Sequence, residues 1–466
     1  MKTTRRAFNA TLAYTPFLIG RPLATDARIR EVKTSYEDYL YRAPYKFGAS
    51  VVDRVTLLNV DCVIESRTGK TAKGFGSMSL GNMWAWPSKV LTYANTLAAM
   101  KSLAERIAAT ITHEFGHPLD WNHTLEPAWL AEAAALSTTL AEPIPKLCTL
   151  VTGSPFEAAF HDAFGKLHAR SAYRIYGRDL LPHDAEKYLG NPGKGIFLDR
   201  YVTPTPRDTI RVYHSVGALD PLNAADVQHP INDGLPEILA DWIRFNGLKN
   251  LKIKLNGDDL AWDLNRVVSI DRIARATQNP SDDFVYSLDF NERARNVAYL
   301  IEFMRKLREQ SPEGFRRIQY VEQPTARDLN ADRSNVMHEA AKLRPVVIDE
   351  SLTGLDMLLQ CREMGYSGAA LKACKGQSQA VLIGAVAQKY KMFLCVQDLT
   401  CPGAALIHSA GLAAHIPGVV AIEANARQYV PAANAKWADR FPGIFKITTG
   451  VMQTSTLIGP GLSTVL

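Results

Sequence analysis

The runs Leu251-Lys-Ile-Lys254, Val285-Tyr-Ser-Leu-Asp289, Ile318-Gln-Tyr-Val-Glu322, Val346-Val-Ile-Asp349 and Ala369-Ala-Leu-Lys372 decide the fold. Each is a short apolar stretch closed by one charged residue, and helix-like sequence separates it from the next. Continuous apolar runs of this length are the mark of strands buried on both faces of a parallel sheet. Solubility gives no reason for every such strand to end in a single charge. The pattern places three carboxylates and two or three ammonium groups at one rim of a parallel sheet.

Working outward, the same texture extends from residue 209 to residue 423. Strands are expected at 209–215, 250–255, 284–289, 317–322, 345–349, 368–372, 392–397 and 418–423, with clear helices at 235–246, 292–309 and 378–390. Eight strands with interleaved helices predict a modified TIM (β/α)8 barrel of the α/β class, which carries its chemistry at the C-terminal strand ends. Residues 178–208 and 218–233 are rich in Pro, Gly and Asp and read as loop insertions. Upstream, the alternating pattern from Ala27 to about Ser66 predicts a small antiparallel sheet. Residues 89–114, 125–142 and 155–168 predict helices. The expected organisation is a capping domain of α+β type over 26–150, the barrel over 151–440, and a C-terminal segment, 441–466, that returns to the cap.

Composition is that of a globular enzyme-sized chain: 466 residues, 47% hydrophobic, 21% charged, net charge +6. No basic cluster supports nucleic-acid or membrane-surface binding, and the mild positive balance suits a small anionic substrate. The six cysteines lack ligand-like or framework spacing and read as reduced, mostly buried thiols. Residues 1–25, with Thr4-Arg5-Arg6-Ala7-Phe8 before a mildly apolar stretch, read either as a twin-arginine-type export signal or as an unstructured cytoplasmic N-terminus. No other stretch approaches the roughly 20 apolar residues of a membrane span.

Side chains alternate along a strand, so Lys252 and Lys254 share a side, as do Asp289 and Asn291. Inside a barrel that side is the mouth. Asp289, Glu322 and Asp349, on three successive strand ends, are expected to converge. Carboxylates packed together repel unless a hard cation joins them, and oxygen-only ligands select Mg²⁺, with Mn²⁺ as the substitute. The cation would bind a substrate carboxylate and absorb charge when the adjacent C–H is deprotonated. The base must then be a neutral amine. Lys254, its pKa pushed down by Lys252 and the cation, fits that part, and Lys372 would serve the other face of the substrate carbon.

The ordered set resembles the enolase superfamily, and within it the muconate-lactonising subgroup of the mandelate racemase/muconate lactonising enzyme family, with its Lys-x-Lys on the second barrel strand. Phe156-Glu-Ala-Ala-Phe-His-Asp162, Gly165-Lys166 and Tyr173-Arg-Ile-Tyr-Gly177 are similar to the helix leading into that family's barrel, and Gly459-Pro-Gly-Leu to its returning tail. The resemblance implies Asp289, Glu322 and Asp349 as metal ligands, and Lys254 and Lys372 as the acid/base pair with Lys252 beside them. It implies Glu423 as the eighth-strand carboxylate that meets substrate, and Asn291 and Glu350 as residues that orient the ligands. Lid loops would carry Arg42, Lys46, Trp84 and Trp86, although both tryptophans equally suit ordinary packing. The implied enzyme is an isomerase or lyase (racemase or epimerase, cycloisomerase or dehydratase) acting on a small carboxylate, and a homo-oligomer.

Two departures narrow this. Dipeptide epimerases of the subgroup carry Asp-x-Asp on the last strand to hold an α-ammonium, where this chain has Glu423-Ala-Asn425. The seventh strand ends Val396-Gln397-Asp398 without the histidine base of the mandelate-racemase subgroup. One competing reading is a zinc peptidase built on His113-Glu-Phe-Gly-His117, a full HExxH signature. Pro118 biases His117 away from helix where a zincin helix must continue, and no third ligand stands at the required spacing, so the motif reads as structural. The other is a non-catalytic barrel that serves as a binding module.

Overall fold

The computed structural model describes residues 23–277 and 283–463. The twin-arginine-like stretch through Arg21 and Pro22 lies outside them. Strands β1 (Ala27–Phe47), β2 (Ser50–Ser66) and β3 (Thr71–Ser79) form an antiparallel sheet in that order. The long hairpin β1–β2 keeps pairing to its tip, so Arg42–Lys46, expected as a loop, continues the strand past a register shift between Leu40 and Tyr45. The helix Lys146–Leu167 lies against β3 at very short range. Gly74 and Gly76 make this possible, since a Cβ there would sit 2.1 Å from Ala159 O and 2.0 Å from Pro155 O. That helix begins nine residues before the expected start, because Pro155 is inside it rather than at its first turn.

The barrel follows: β4 (Thr209–Val216), β5 (Asn250–Lys254), β6 (Val285–Asp289), β7 (Ile318–Glu322), β8 (Val346–Ile348), β9 (Gly368–Leu371), β10 (Phe393–Val396) and β11 (Val419–Glu423). All eight are parallel, each pairs with the next, and β11 pairs back onto β4 to close the ring. The strand β12 (Val451–Gln453) adds antiparallel to β4. The chain is thus a modified TIM barrel with an antiparallel capping sheet. The buried set Tyr213, Tyr320, Val347, Ala370, Cys395 and Ala421 floors the barrel below the strand ends. The tail pairs with residues 170–172 through Gly461 and is anchored on the helix Lys146–Leu167. Buried Asp162 accepts from Leu462 N (2.8 Å), Phe75 N (2.9 Å) and Lys166 Nζ (2.6 Å), which ties tail, β3 and helix together. All six cysteines are buried and unpaired. Among the described residues no helix is long and apolar enough to cross a membrane.

Candidate active site

Strand register builds the site. Lys254 pairs with Asp289 and Asp289 with Glu322, so three charged side chains stand at one level on three adjacent strands. Lys252 enters one pleat below. Its Nζ lies 2.8 Å from Glu322 Oε1, 2.8 Å from Glu423 Oε2 and 3.1 Å from Asp289 Oδ2, and donates to Gln397 Oε1 at 2.9 Å. Lys254 Nζ lies 2.6 Å from Asp289 Oδ2. Across the ring, Lys372 Nζ is 2.9 Å from Asp349 Oδ2 and 4.3 Å from the Trp84 ring centre. Since β5 and β9 are four strands apart in a ring of eight, Lys254 and Lys372 reach the same pocket from opposite walls.

Lys254, Lys372, Asp289, Asp349 and Glu423 all line one small cavity at the barrel mouth. Tyr45, Phe47 and Trp84 from the cap close over it, and the remaining volume, about 30 Å³, holds little more than a water molecule. Tyr45 donates to or accepts from Ser215 Oγ at 3.1 Å and sits 6.0 Å from Lys254 Nζ. Trp84 donates through Nε1 to Glu350 Oε1 at 2.9 Å. Asn291 reaches both Asp289 Oδ2 (3.3 Å) and Glu350 Oε1 (3.4 Å).

The three carboxylates do not close around one point. Among the described residues no group of three or more His, Cys, Asp or Glu side chains is arranged to hold a metal ion. Each carboxylate has turned onto an ammonium group instead. The consequence for charge is the reverse of the sequence expectation for Lys254. Burial and Lys252 would lower its pKa, but the contact with Asp289 outweighs both and raises it above the ordinary lysine value. Lys372 is raised likewise, burial being overcome by Asp349. Asp289 is held down at about 2, as Lys254 and Lys252 overcome its burial. Glu322 is pushed well up by burial, against Lys252, and by its neighbours Asp289 and Asp349. Burial and then Asp349 raise Glu350 to about 7, and burial and then Glu423 raise Asp398 to about 6.

The donor set nevertheless fits a hard divalent cation in kind and charge. Four buried ammonium groups (Lys252, Lys254, Lys372, Lys375) face six buried carboxyl groups (Asp289, Glu322, Asp349, Glu350, Asp398, Glu423). The carboxyl groups outnumber the ammonium groups by two, and burial pushes Glu322, Glu350 and Asp398 toward their protonated forms. Glu350 Oε2 and Asn291 Oδ1 are buried without a partner. To bind Asp289, Glu322 and Asp349 together, a cation must displace the ammonium groups of Lys252, Lys254, Lys372 and Lys375 from them.

Several residues lie where sequence reasoning did not place them. Arg42 is held by Asp233 (2.5 and 2.7 Å), away from the catalytic pocket. Lys46 alternates to the side opposite Tyr45 and Phe47 and does not line it. Trp86 is buried in the cap and donates to Glu142 at 2.6 Å. Sequence reading placed the stretch 42–46 over the substrate but singled out Arg42 and Lys46 rather than Tyr45, and it missed Phe47; alternation along β1 could have offered both. It also missed Lys375, one tight helical turn beyond Lys372, whose Nζ lies 3.1 Å from Asp349 Oδ1 and 2.5 Å from its carbonyl.

The peptidase signature resolves as structure. Residues 113–117 form no helix, and Gly116 bridges to Ala27. His117 caps the helix Pro118–Ser137: its Nδ1 accepts from Leu119 N at 3.2 Å, so the proton is on Nε2, which donates to Ile175 O at 3.2 Å. Both ring nitrogens are used, and none remains for zinc. His113 Nδ1 faces Ile29 O at 2.9 Å.

Comparison with known proteins agrees with this architecture. Residues 236–466 match the family model for the enolase C-terminal domain-like family. Similar solved structures include the L-Ala-D/L-Glu epimerase of Bacillus subtilis (16% identity, 93% of this chain and 98% of that one, TM-score 0.60). They also include an N-succinyl Arg/Lys racemase of Bacillus cereus (15%, 93% and 94%, 0.61). A third is a muconate lactonising enzyme of Pseudomonas fluorescens complexed with muconolactone (15%, 94% and 97%, 0.60). At such identity these likenesses carry the fold. No protein of curated function matches the chain. Barrel, cap and family match define the class, a capped (β/α)8 protein with charged groups at its strand ends. More narrowly, residues 236–466 carry the enolase C-terminal domain-like family match.

Proposed function

We propose that the protein is an enolase-superfamily isomerase that abstracts the proton α to a substrate carboxylate, with racemisation or epimerisation the outcome its residues suit best. One observation carries this reading: Lys254 and Lys372 enter a single pocket from opposite strands of the closed ring. A base on each face of one carbon permits removal of the proton by one lysine and its return by the other. Elimination or cycloisomerisation would use the same first step.

Asp289, Glu322 and Asp349 would hold the cation, with Mg²⁺ the ion such oxygen ligands prefer and Mn²⁺ the alternative. Stabilising positive charge beside the enediolate oxygens is what a bound ion would supply there. The remaining roles belong to the chain. With Asp289 and Asp349 engaged elsewhere, Lys254 and Lys372 lose the carboxylates that hold their protons, and burial then favours the neutral amine that a base requires. Lys252, moved off Glu322 and Asp289, keeps Glu423 and Gln397 as partners and stays as a fixed positive charge. Gln397 holds both Lys252 and Glu322, donating to Glu322 Oε2 at 2.7 Å. Asn291 and Glu350 orient the ligand side of the pocket, and Trp84 is anchored on Glu350. Tyr45, Phe47 and Trp84 must shift to admit a substrate and then exclude water above it.

A dipeptide suits this pocket poorly. Asn425 stands where a second carboxylate would meet an α-ammonium, and its backbone N–H is already given to Asp398 Oδ2 at 2.9 Å. Screening small carboxylic acids for α-proton exchange in D₂O with Mg²⁺ tests the proposal. Mass gain with wild type and with Glu114→Ala, and none with the double variant Lys254→Ala/Lys372→Ala, is expected. Exchange that survived the double change but failed in Glu114→Ala would overturn it.

A further inference from the structure

The cap turn that carries Trp84 follows β3 and is built on one helical turn, Asn82–Ala85. Its amides bond within the turn, Trp84 N and Ala85 N to Gly81 O and Trp86 N to Asn82 O. The Asn82 side chain bonds Tyr93 and Thr96, and that of Trp86 bonds Glu142, all in the cap. Among the described residues, the hydrogen bonds of this turn to the barrel run through Trp84 alone. Its indole Nε1 donates to Glu350 Oε1 at 2.9 Å, and its main-chain carbonyl accepts from Arg327 Nη2 at 3.0 Å. The ring between these two bonds lies over two ammonium groups, 4.3 Å from Lys372 Nζ and 5.7 Å from Lys375 Nζ. Whatever fixes Trp84 therefore fixes the cover of Lys372.

Arg327 stands on the loop after β7 and is held from both sides. Its N–H donates to Glu292 Oε2 at 2.9 Å, and its carbonyl accepts from Ser351 Oγ at 2.8 Å. Its guanidinium grips Glu292 bidentately, Nε to Oε2 at 2.7 Å and Nη2 to Oε1 at 2.5 Å, the arrangement that fixes an arginine most firmly. One residue thus joins the loops after β6, β7 and β8 to the cap. Glu292 matters for a second reason. It and Asn291 both have left-handed backbone, φ 69° and 43°, which asparagine tolerates and glutamate rarely adopts. Such a turn persists only where its surroundings hold it. Here Glu292 N donates to Gln323 O at 2.9 Å, and Arg327 holds the side chain. The turn aims Asn291 Nδ2 at Asp289 and Glu350. Arg327 is therefore common to the cover over Lys372 and to the residue that touches Asp289, the partner of Lys254.

We propose that Arg327 is a positioning residue, a latch that closes Trp84 over Lys372 and holds the turn 291–292 against Asp289. Its place in catalysis rests on the α-proton reading above, but its test needs no substrate, so the two stand or fall separately. In Arg327→Met, amide exchange at Trp84, Ala85 and Trp86 should quicken at least tenfold, the effect of losing one hydrogen bond from a charged donor. Amides of the central cap strand, Val60–Ile64 in β2, should exchange as in wild type. The emission of Trp84 is the difference between each protein and the same protein carrying Trp84→Phe. In Arg327→Met it should move to the red and gain at least twofold in acrylamide quenching. Glu292→Gln keeps the size of the side chain but weakens the pair, and should move both readouts the same way by a smaller amount. Arg293→Met, which removes the neighbouring pair with exposed Asp258, should move neither. Unchanged exchange and emission in Arg327→Met, or equal changes in Arg293→Met, would overturn the proposal. So would loss of protection in β2 together with the turn, which would mark general loosening of the cap.

Discussion

Replacing Lys252 with methionine removes the charge on which the site's electrostatics turn. Its ammonium touches Glu322, Glu423 and Asp289 at 2.8, 2.8 and 3.1 Å, and the side chain is 1% exposed. Removing one partner of a buried ion pair costs about 3–5 kcal/mol, because the other charge is left in low dielectric. Here three carboxylates lose the same partner, which argues for the upper end, about 5 kcal/mol. Glu322, already pushed up by burial and by Asp289 and Asp349, can take a proton and blunt the loss, so the deficit should grow with rising pH. Urea unfolding of wild type and Lys252→Met at pH 6 and pH 8 measures it. Excess Mg²⁺ should then recover part of the stability, about 2.7 kcal/mol at a hundredfold excess over Kd. The gain should be larger in the variant, since in wild type the ion must first displace Lys252. A variant as stable as wild type, or one that Mg²⁺ stabilises no more than wild type, would refute the reasoning.

Two further predictions concern the scaffold. His117→Asn keeps an N-cap acceptor but removes a histidine whose pKa burial lowers to about 3. The unfolded chain protonates that histidine below about pH 6.5 and the folded chain does not. The advantage of wild type over the variant should therefore shrink by about 1.4 kcal/mol per pH unit between roughly pH 6 and pH 4 in urea titrations. A constant difference would contradict a buried neutral ring. Asp162→Ala removes one ion-pair partner of Lys166 and strands two buried backbone N–H groups. It should cost about 3–5 kcal/mol in thermal or urea unfolding and loosen the tail first, seen as faster amide exchange at Gly461 and Leu462. Unchanged protection there would contradict the anchoring role.

Most of the barrel could be read from the chain because both-face burial makes its strands near-continuous apolar runs, bounded by the charges themselves. Every expected strand lies within a residue or two of the observed one. The cap was harder to read where prolines are ambiguous. Pro118 opens a helix that was expected only from residue 125, and Pro155 lies inside a helix it was expected to begin. The charged residues of the rim were legible as a set but their pairing was not. Sequence gives register and side, and these bring Lys254, Asp289 and Glu322 level. It does not reveal that long lysine side chains fold back onto the carboxylates, which reverses the direction expected for Lys254. Lys375 escaped notice because it follows the strand end on a 3-10 turn, outside the alternation that pointed to the others. Burial of Tyr45 over Lys254 depends on a hairpin from a distant part of the chain.

The central claim, one lysine on each face of the reacting carbon, is tested most directly by the stereochemistry of exchange. Each enantiomer of an α-exchanging carboxylic acid, incubated in D₂O with the single variants Lys254→Ala and Lys372→Ala, should lose its α-proton to only one of them. The two variants should have opposite preferences, and each should lose interconversion of the enantiomers. Exchange of both enantiomers by either single variant, at wild-type rates, would contradict the account.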